Sequence, residues 1–151
     1  MTSPATERSI GPFSLPGHDQ ILDTMISLTR LAPLQRMIVA GDDSMALYLA
    51  LRRLGFLRAT TPTICRIPTP QHGVGLVLSC NAGVEATLDQ ISPYLATNAA
   101  IALLVGTRDN SFKIRTKLQN LGFRIEAGVR CTSGLVLSAC REGYRQMERA
   151  A

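Results

Sequence analysis

The stretch from Arg36 to Phe56 constrains the fold of this chain more than any other. It opens with a short apolar run of strand type, Met37 to Ala40, and continues with a turn, Gly41-Asp42-Asp43-Ser44. Apolar residues then recur at the spacing of one helix face, and Gly55 stands where a helix end favours positive φ. A buried strand, a tight turn and a helix that packs back on the strand predict the first unit of a doubly wound α/β sheet.

Length and composition indicate a single globular domain. The chain has 151 residues, of which 46% are hydrophobic, and no apolar run approaches the ~20 residues that span a bilayer. Residues 1–16 lack the basic-then-apolar order of a signal peptide. We therefore expect a cytoplasmic protein with no membrane partner, consisting of a flexible arm at 1–16 and one α/β domain at 17–151.

Apolar periodicity extends the same pattern along the chain. Residues 18–31 predict a helix that packs on its own sheet, with a homodimer contact as the alternative. Pro93 should break the helix that begins near Val84, and Ser111 is a candidate cap for the last helix. The predicted strands are Leu57–Arg66 with Pro62 marking an edge position, Val74–Ser79, Ala99–Val105, and a terminal hairpin of Phe123–Cys131 and Leu135–Ala139.

The basic residues form two segments. The net charge is +5, and 14 of the 16 basic residues are arginine. The segments are Arg52, Arg53, Arg58 and Arg66, and then Arg108, Lys113, Arg115, Lys117, Arg124 and Arg130. Such a basic surface can attract nucleic acid or an anionic cofactor. Because no aromatic residues are interleaved, solvated helix faces are the simpler interpretation, and nucleic-acid binding stays an alternative.

Cysteine and histidine show no metal-binding spacing. The four cysteines form no C-x-x-C pair, and His18 and His72 lie in turn-like surroundings far from them. We expect buried, reduced thiols and no metal. Neither histidine follows a predicted strand, so the sequence offers no general base, and whether the protein is an enzyme is open.

The layout resembles the Rossmann-like SAM-dependent methyltransferases over about residues 34–141. The similar pieces are Met37–Gly41 as first strand and glycine, Gly73–Ser79 as the strand lining the substrate side, and Leu121–Ile125 leading into the hairpin. In that family a final antiparallel strand enters the sheet through a terminal hairpin. The resemblance implies a three-layer Rossmann-like sandwich with a mostly parallel sheet, and S-adenosylmethionine (SAM) as cofactor.

The glycine loop and the second strand depart from the family's pattern. Val39 stands where the family has an acid for the cofactor's amino group, and Asp43 and Met45 replace two glycines. Arg66, a pure donor, stands where a carboxylate should accept from the ribose. About eight residues then reach the next strand, roughly 25 Å when extended, too short to include the family's third strand and its helices.

These positions give six candidate cofactor-binding residues. Asp42 and Asp43 could replace the lost carboxylates, although both are good helix N-caps. Ser79 and Asn81 lie where relatives carry catalytic polar groups, although they also suit a turn. The candidates are Gly41, Asp42, Asp43, Arg66, Ser79 and Asn81.

Other doubly wound folds fit the residues less well. A receiver-like domain needs a phosphoacceptor aspartate after its third strand, where Ser79-Cys80 stands. A dinucleotide oxidoreductase needs G-x-G-x-x-G, which is absent from the sequence. The resemblance therefore implies a methyltransferase-like domain of unknown substrate that has lost most of its SAM-binding determinants. The alternatives are a non-catalytic interaction module with the same fold, for which a homodimer is one arrangement, and a basic nucleic-acid-binding protein.

Overall fold

A computed structural model describes residues 18–42, 44–78, 83–106, 110–131 and 134–141. The predicted N-terminal arm at 1–16 lies outside these ranges. Helices and strands alternate along the chain and end in a hairpin. The elements are α1 (His18–Thr29), β1 (Met37–Ala40), α2 (Ser44–Arg53), β2 (Ala59–Thr60), β3 (His72–Val77), α3 (Val84–Ile91), a 3-10 turn (Ser92–Tyr94), β4 (Leu95–Gly106), α4 (Ser111–Asn120), β5 (Phe123–Cys131) and β6 (Gly134–Arg141).

The strands form one sheet of six in the order β2-β1-β3-β4-β6-β5. The first four strands are parallel to their neighbours, while β6 runs antiparallel between β4 and β5. This insertion of the last strand confirms the predicted hairpin and the mostly parallel sheet. Residues 61–71, which connect β2 to β3, contain no helix and no strand, as the short spacing predicted.

Helices cover both faces of the sheet and make a three-layer sandwich. Alternate residues of β1 point to opposite faces, so Val39 packs in a cluster with α1 and α2, whereas Ile38 packs in a cluster with α3 and α4. Both residues are fully buried. Ile21, Leu22 and Met25 of α1 are buried in the first cluster, which confirms that this helix packs on its own sheet.

The end of α2 matches the glycine signal in the sequence. Gly55 has φ +98°, its N–H donates to the Arg52 carbonyl at 3.1 Å, and the Phe56 N–H donates to the Leu51 carbonyl at 3.0 Å. This pair of bonds is a Schellman motif, which satisfies carbonyl groups that the helix itself cannot. Fully buried Leu51 ties the motif to the core.

Three local predictions need correction. The second strand is Ala59–Thr60 rather than Leu57–Arg66. The cap of α4 is Asn110 and not Ser111, since the Asn110 side chain accepts from the N–H groups of Phe112 and Lys113 at 3.0 and 3.2 Å. The fourth strand begins at Leu95, four residues earlier than predicted, because the 3-10 turn containing Pro93 ends the preceding helix at once.

No helix within the described ranges is long and apolar enough to cross a membrane.

Candidate functional site

The order of the strands creates a crevice beside β1. The chain passes from β1 to β2 on one side and then returns to β3 on the other side. Ligands of open α/β sheets bind outside the carboxyl ends of the strands at such a reversal. Ala40 is in register with Val77, and the Leu78 N–H donates to the Ala40 carbonyl at 3.4 Å, so the two strands end side by side.

Gly41 makes the turn that leads from β1 into α2. Its φ of +116° lies in a region that L side chains rarely adopt, which explains the glycine. Its carbonyl accepts from the Ser44 N–H at 3.3 Å, and α2 begins at Ser44. Asp42 is exposed beside this turn, whereas Asp43 lies outside the described residues. The crevice therefore has a helix N-terminus and one described carboxylate at its edge.

Val39 offers no polar group to the crevice. It is fully buried and belongs to the apolar cluster that α1 and α2 form with the sheet. This is the position at which the resemblance leads us to expect an acid. A carboxylate here would lose its hydration inside an apolar core, which is costly without a partner.

Arg66 does not end the second strand, contrary to the prediction. Strand β2 stops at Thr60 because Pro62 has no N–H to donate and because the Thr61 carbonyl accepts from the Cys65 N–H at 2.8 Å, which turns the chain. Thr61, fully buried, is the residue that follows the strand. Arg66 is exposed in the connection beyond it, and its role in binding a cofactor stays a prediction.

The remaining two candidates follow β3. The strand ends at Val77, and Leu78 is buried directly after it. Ser79 and Asn81 come next along the chain and lie outside the described residues. Of the three predicted site residues that the structure describes, Gly41 and Asp42 thus lie at the crevice and Arg66 does not end the neighbouring strand.

The structure reveals a second feature at the opposite end of the strands, which sequence reasoning missed. His72, predicted to lie in a loop, is the first residue of β3 and is only 4% exposed. Its Nδ1 donates to the Tyr94 carbonyl at 3.0 Å. Burial lowers the pKa of His72, the bond to Tyr94 opposes this, and nearby Arg36 lowers the pKa further. The sequence feature that could have located His72 is the apolar run that starts at Val74, because a strand containing this run can begin two residues earlier.

Two residues of the basic segments form ion pairs within the described ranges. Lys117 Nζ lies 2.7 Å from Asp89, and Arg124 pairs with Glu126 at 3.3 Å on the exposed hairpin. The Arg52 guanidinium lies 5.7 Å from the centre of the Tyr48 ring. Among the described residues, no group of three histidine, cysteine or acidic side chains could hold a metal ion. Cys65, Cys131 and Cys140 are half-buried, not fully buried as predicted, and Cys80 lies outside the described residues.

Comparison with solved structures supports the fold. No profile of a known protein family matches the sequence, and no curated protein does. The chain is similar to a SAM dependent methyltransferase from Aquifex aeolicus, at TM-score 0.62 and 9% identity over 94% of this chain and 100% of the other. It is also similar to a ribosomal protein L11 methylase from Lactobacillus delbrueckii, at TM-score 0.62 and 14% identity over 82% and 78% of the two chains.

A third similar structure is a precorrin-6y C5,15-methyltransferase from Geobacter metallireducens. Its TM-score is 0.59 and its identity 15%, over 82% of this chain and 88% of the other. At such identities the likeness concerns the fold alone. The chain therefore has the Rossmann-like fold of the class I SAM-dependent methyltransferases.

Proposed function

We propose that this chain is a methyltransferase-fold domain that has lost most of the groups for binding SAM and acts without catalysis, through contacts with other proteins. The observation that carries the proposal is the burial of Val39 in the apolar core behind β1. The cofactor's amino group would find no acceptor there. A charged ligand group without an acceptor costs binding energy instead of contributing to it.

The short second strand supports the same conclusion. Acceptors for a ribose would have to come from the end of β2, where buried Thr61 and then Pro62 follow the strand. Neither residue carries a carboxylate. The connection to β3 contains no helix that would close over an adenosyl group. Among the described residues, what remains for a ligand at the crevice is the turn at Gly41 and the carboxylate of Asp42.

Calorimetry and thermal unfolding with SAM and S-adenosylhomocysteine test the loss of cofactor binding. A ligand that binds only the folded state stabilises it by RT ln(1 + [L]/Kd), about 2.7 kcal/mol at 100 times Kd. We expect no binding heat and no shift of the melting temperature at millimolar ligand. Saturable binding would refute the proposal. Asp42→Asn and Asp43→Asn, compared with Asp89→Asn on α3, would then tell whether these carboxylates hold the ligand.

Exposed apolar side chains around β2 favour a protein partner. Leu54, Leu57, Ile64 and Ile67 are 57%, 63%, 50% and 75% exposed, and all lie within seven residues of β2. Among the described strands, β2 forms an edge of the sheet. Exposed apolar groups beside a free edge mark contact surfaces, and two copies of one edge can pair about a two-fold axis. We assign the homodimer contact to this edge, because the apolar face of α1 is already buried on the sheet.

Sedimentation velocity of the full chain tests the homodimer. We expect a dimer that Leu57→Lys and Ile67→Lys convert to monomer, because each places a charge in the contact. Phe112→Lys is the matched control, since Phe112 is 74% exposed on α4 at the other face of the sheet. A wild-type monomer at high concentration, or equal loss of dimer in the control, would reject this surface.

Nucleic-acid binding through the basic segments is the competing function. It would give an affinity that falls steeply with salt, since each neutralised phosphate releases counterions. Under our proposal, fluorescence anisotropy with single- and double-stranded oligonucleotides shows no saturable binding at physiological salt. Saturable binding that Arg52→Gln and Arg53→Gln weaken would favour the competing function.

A further inference from the structure

The amino ends of three neighbouring strands bring two arginines and a glutamine to one edge of the sheet. Arg58 precedes β2, Arg36 precedes β1, and Gln71 precedes β3. Backbone bonds hold these ends together. The Met37 N–H donates to the Arg58 carbonyl at 3.4 Å, and the Gly73 N–H donates to the Arg36 carbonyl at 3.0 Å. Parallel pairing therefore places these side chains side by side.

A cavity of about 270 Å³ lies at this edge. It is smaller than the roughly 300–1,000 Å³ of pockets for drug-sized ligands, so it suits a small ligand. The chain advances ~3.3 Å per strand residue from Arg36 to Gly41, so roughly 16 Å separates the cavity from the Gly41 crevice. The cavity is thus distinct from the crevice and opens at the opposite end of the sheet. Its lining is Arg36, Arg58, Thr60, Cys65, Gln71 and His72.

The mouth of the cavity is rich in hydrogen-bond donors. Arg36 and Arg58 are exposed, and neither guanidinium forms a salt bridge with any residue that the structure describes. Arg36 Nη1 donates to Gln71 Oε1, which leaves the amide N–H₂ of Gln71 as a further donor. No described carboxylate lines the cavity. Guanidinium groups bind tetrahedral oxyanions with two parallel hydrogen bonds, so this edge is built for an anion.

His72 adds an acceptor to these donors. Because Nδ1 donates to the Tyr94 carbonyl, the proton of the neutral ring is on Nδ1 and the lone pair is on Nε2. Nε2 forms no hydrogen bond within the described ranges. Burial lowers the pKa of this ring, and the described titratable neighbours that face it are Tyr94, Arg36, Arg58 and Cys65, none of them a carboxylate. The neutral ring therefore predominates at pH 7, and its Nε2 can accept a hydrogen bond from a ligand.

We propose that this cavity binds inorganic phosphate in the hydrogen phosphate form. The guanidinium groups of Arg36 and Arg58 and the amide of Gln71 donate to its unprotonated oxygens. Its remaining P–OH group donates to Nε2 of His72. Sulfate carries no proton at neutral pH, and a phosphate monoester has lost its second proton above a pKa of about 6. Both anions would therefore place an oxygen lone pair against the lone pair of Nε2, with no hydrogen bond between them.

Isothermal titration calorimetry with the full chain at slightly alkaline pH tests the site with three probes: inorganic phosphate, sulfate and methyl phosphate. We expect phosphate to bind with a Kd at least about tenfold lower than either other anion, because an unsatisfied buried acceptor is costly. Arg36→Gln and Arg58→Gln should each raise the Kd for phosphate about tenfold or more. Arg115→Gln, which removes the same charge from exposed α4, should change it less than about twofold.

His72→Gln tests the acceptor itself. The glutamine amide can donate to an anion, so the preference of phosphate over sulfate should fall or reverse while the Kd for sulfate improves. Circular dichroism checks that the variants are folded, and the two arginine variants test the site independently of His72. Absence of phosphate binding at millimolar concentration, equal affinity for sulfate, or an equal effect of Arg115→Gln would overturn the proposal. None of these outcomes depends on whether SAM binds or the chain dimerises.

Discussion

The two halves of the sheet differ in the length of their strands. Strands β4, β6 and β5 have 12, 8 and 9 residues, and hydrogen bonds join them along an antiparallel ladder. Strands β2, β1 and β3 have only 2, 4 and 6 residues. Both candidate sites, the crevice at Gly41 and the cavity at His72, lie in the half with short strands.

This difference in strand length indicates which half of the sheet resists unfolding and which half offers surfaces to ligands. Long, paired strands open only with the whole fold, whereas short strands with exposed connections open at lower free energy. The half with long strands (β4, β6 and β5), called the long half below, should therefore contribute most of the free energy of unfolding. The half with short strands (β2, β1 and β3), called the short half below, leaves its strand ends accessible, and ligands bind at strand ends. Variants in the two halves measure how much each half contributes to the free energy of unfolding.

The largest expected effect is that of Gly134→Ala in the long half. Gly134 has φ +145°, and an added Cβ would lie 2.2 Å from the Val105 carbonyl oxygen. The neighbour is backbone of β4 and can move only if the ladder moves. We expect a loss of about 4 kcal/mol in the free energy of unfolding, measured by urea denaturation.

The matched control is Gly55→Ala in the short half. Gly55 also has positive φ, +98°, but an added Cβ would meet nothing within 4 Å. The cost should be the backbone strain alone, about 1 kcal/mol. Equal losses in the two variants would mean that the long ladder is not the rigid part of the sheet.

Arg141, the last residue of β6, should have the next largest effect. Its guanidinium donates to the Leu95 carbonyl at 3.1 Å and to Ser92 Oγ at 2.7 Å, and it lies 4.7 Å from the centre of the Phe123 ring. Arg141→Met keeps the apolar stem and removes these bonds. We expect a loss of about 2–3 kcal/mol in thermal or urea unfolding.

Exposed Arg115 provides the comparison for this variant. Arg115→Met removes the same charge from the surface of α4 and should cost less than about 0.5 kcal/mol. Arg141→Lys keeps the charge without the planar fork and should recover only part of the loss. Full recovery by lysine would show that charge, and not the directed bonds, ties β6 to the 3-10 turn.

Thr61→Val should have a smaller effect, confined to the short half. The Thr61 hydroxyl accepts from the Ile64 N–H at 3.2 Å, and the Thr61 carbonyl also accepts from it at 3.1 Å. Loss of one of two acceptors costs about 0.5–1 kcal/mol. Hydrogen exchange should quicken at Ile64 and Cys65 and stay unchanged in β6. Faster exchange in both halves would contradict independent local opening.

The smallest effect is the pH dependence due to His72. Its pKa in the folded state is below the ordinary 6.5, so the unfolded chain binds more protons as pH falls below that value. The stabilisation from the neutral ring is complete above pH 6.5 and declines as pH falls towards the folded-state pKa. His72→Gln should flatten the slope of unfolding free energy between about pH 7 and 5. His18→Gln separates the contribution of the other histidine, and a slope unchanged by His72→Gln would refute the assignment.

Regions with a strong local signal were predicted correctly. The strand at Met37, the helix ending at Gly55 and the terminal hairpin each combine apolar periodicity with a turn residue of defined φ. The second strand was predicted too long because Thr60, Thr61 and Thr63 favour strands locally. The Thr61 carbonyl instead accepts from two N–H groups of a turn, an outcome that strand propensity does not encode.

The candidate site was only partly predictable. Gly41 follows an apolar run, so its turn could be located along the sequence, and the structure places it at the strand reversal. His72 could not be found in this way. Its burial and its bond to Tyr94 join residues 22 positions apart. The meeting of Arg36 and Arg58 likewise requires that β1 and β2 pair.

The sequence by itself determined the order of the elements, the turn at Gly41, the hairpin and the shortened connection after β2, because each follows from local backbone preference and apolar spacing. Tertiary structure alone decided that β1 lies between β2 and β3, that Val39 faces the α1 and α2 core, and that Arg36, Arg58 and His72 share one cavity. The physical reason is that these relations depend on strand pairing and burial. Both are set by the free energy of the whole packed sheet and not by any one segment.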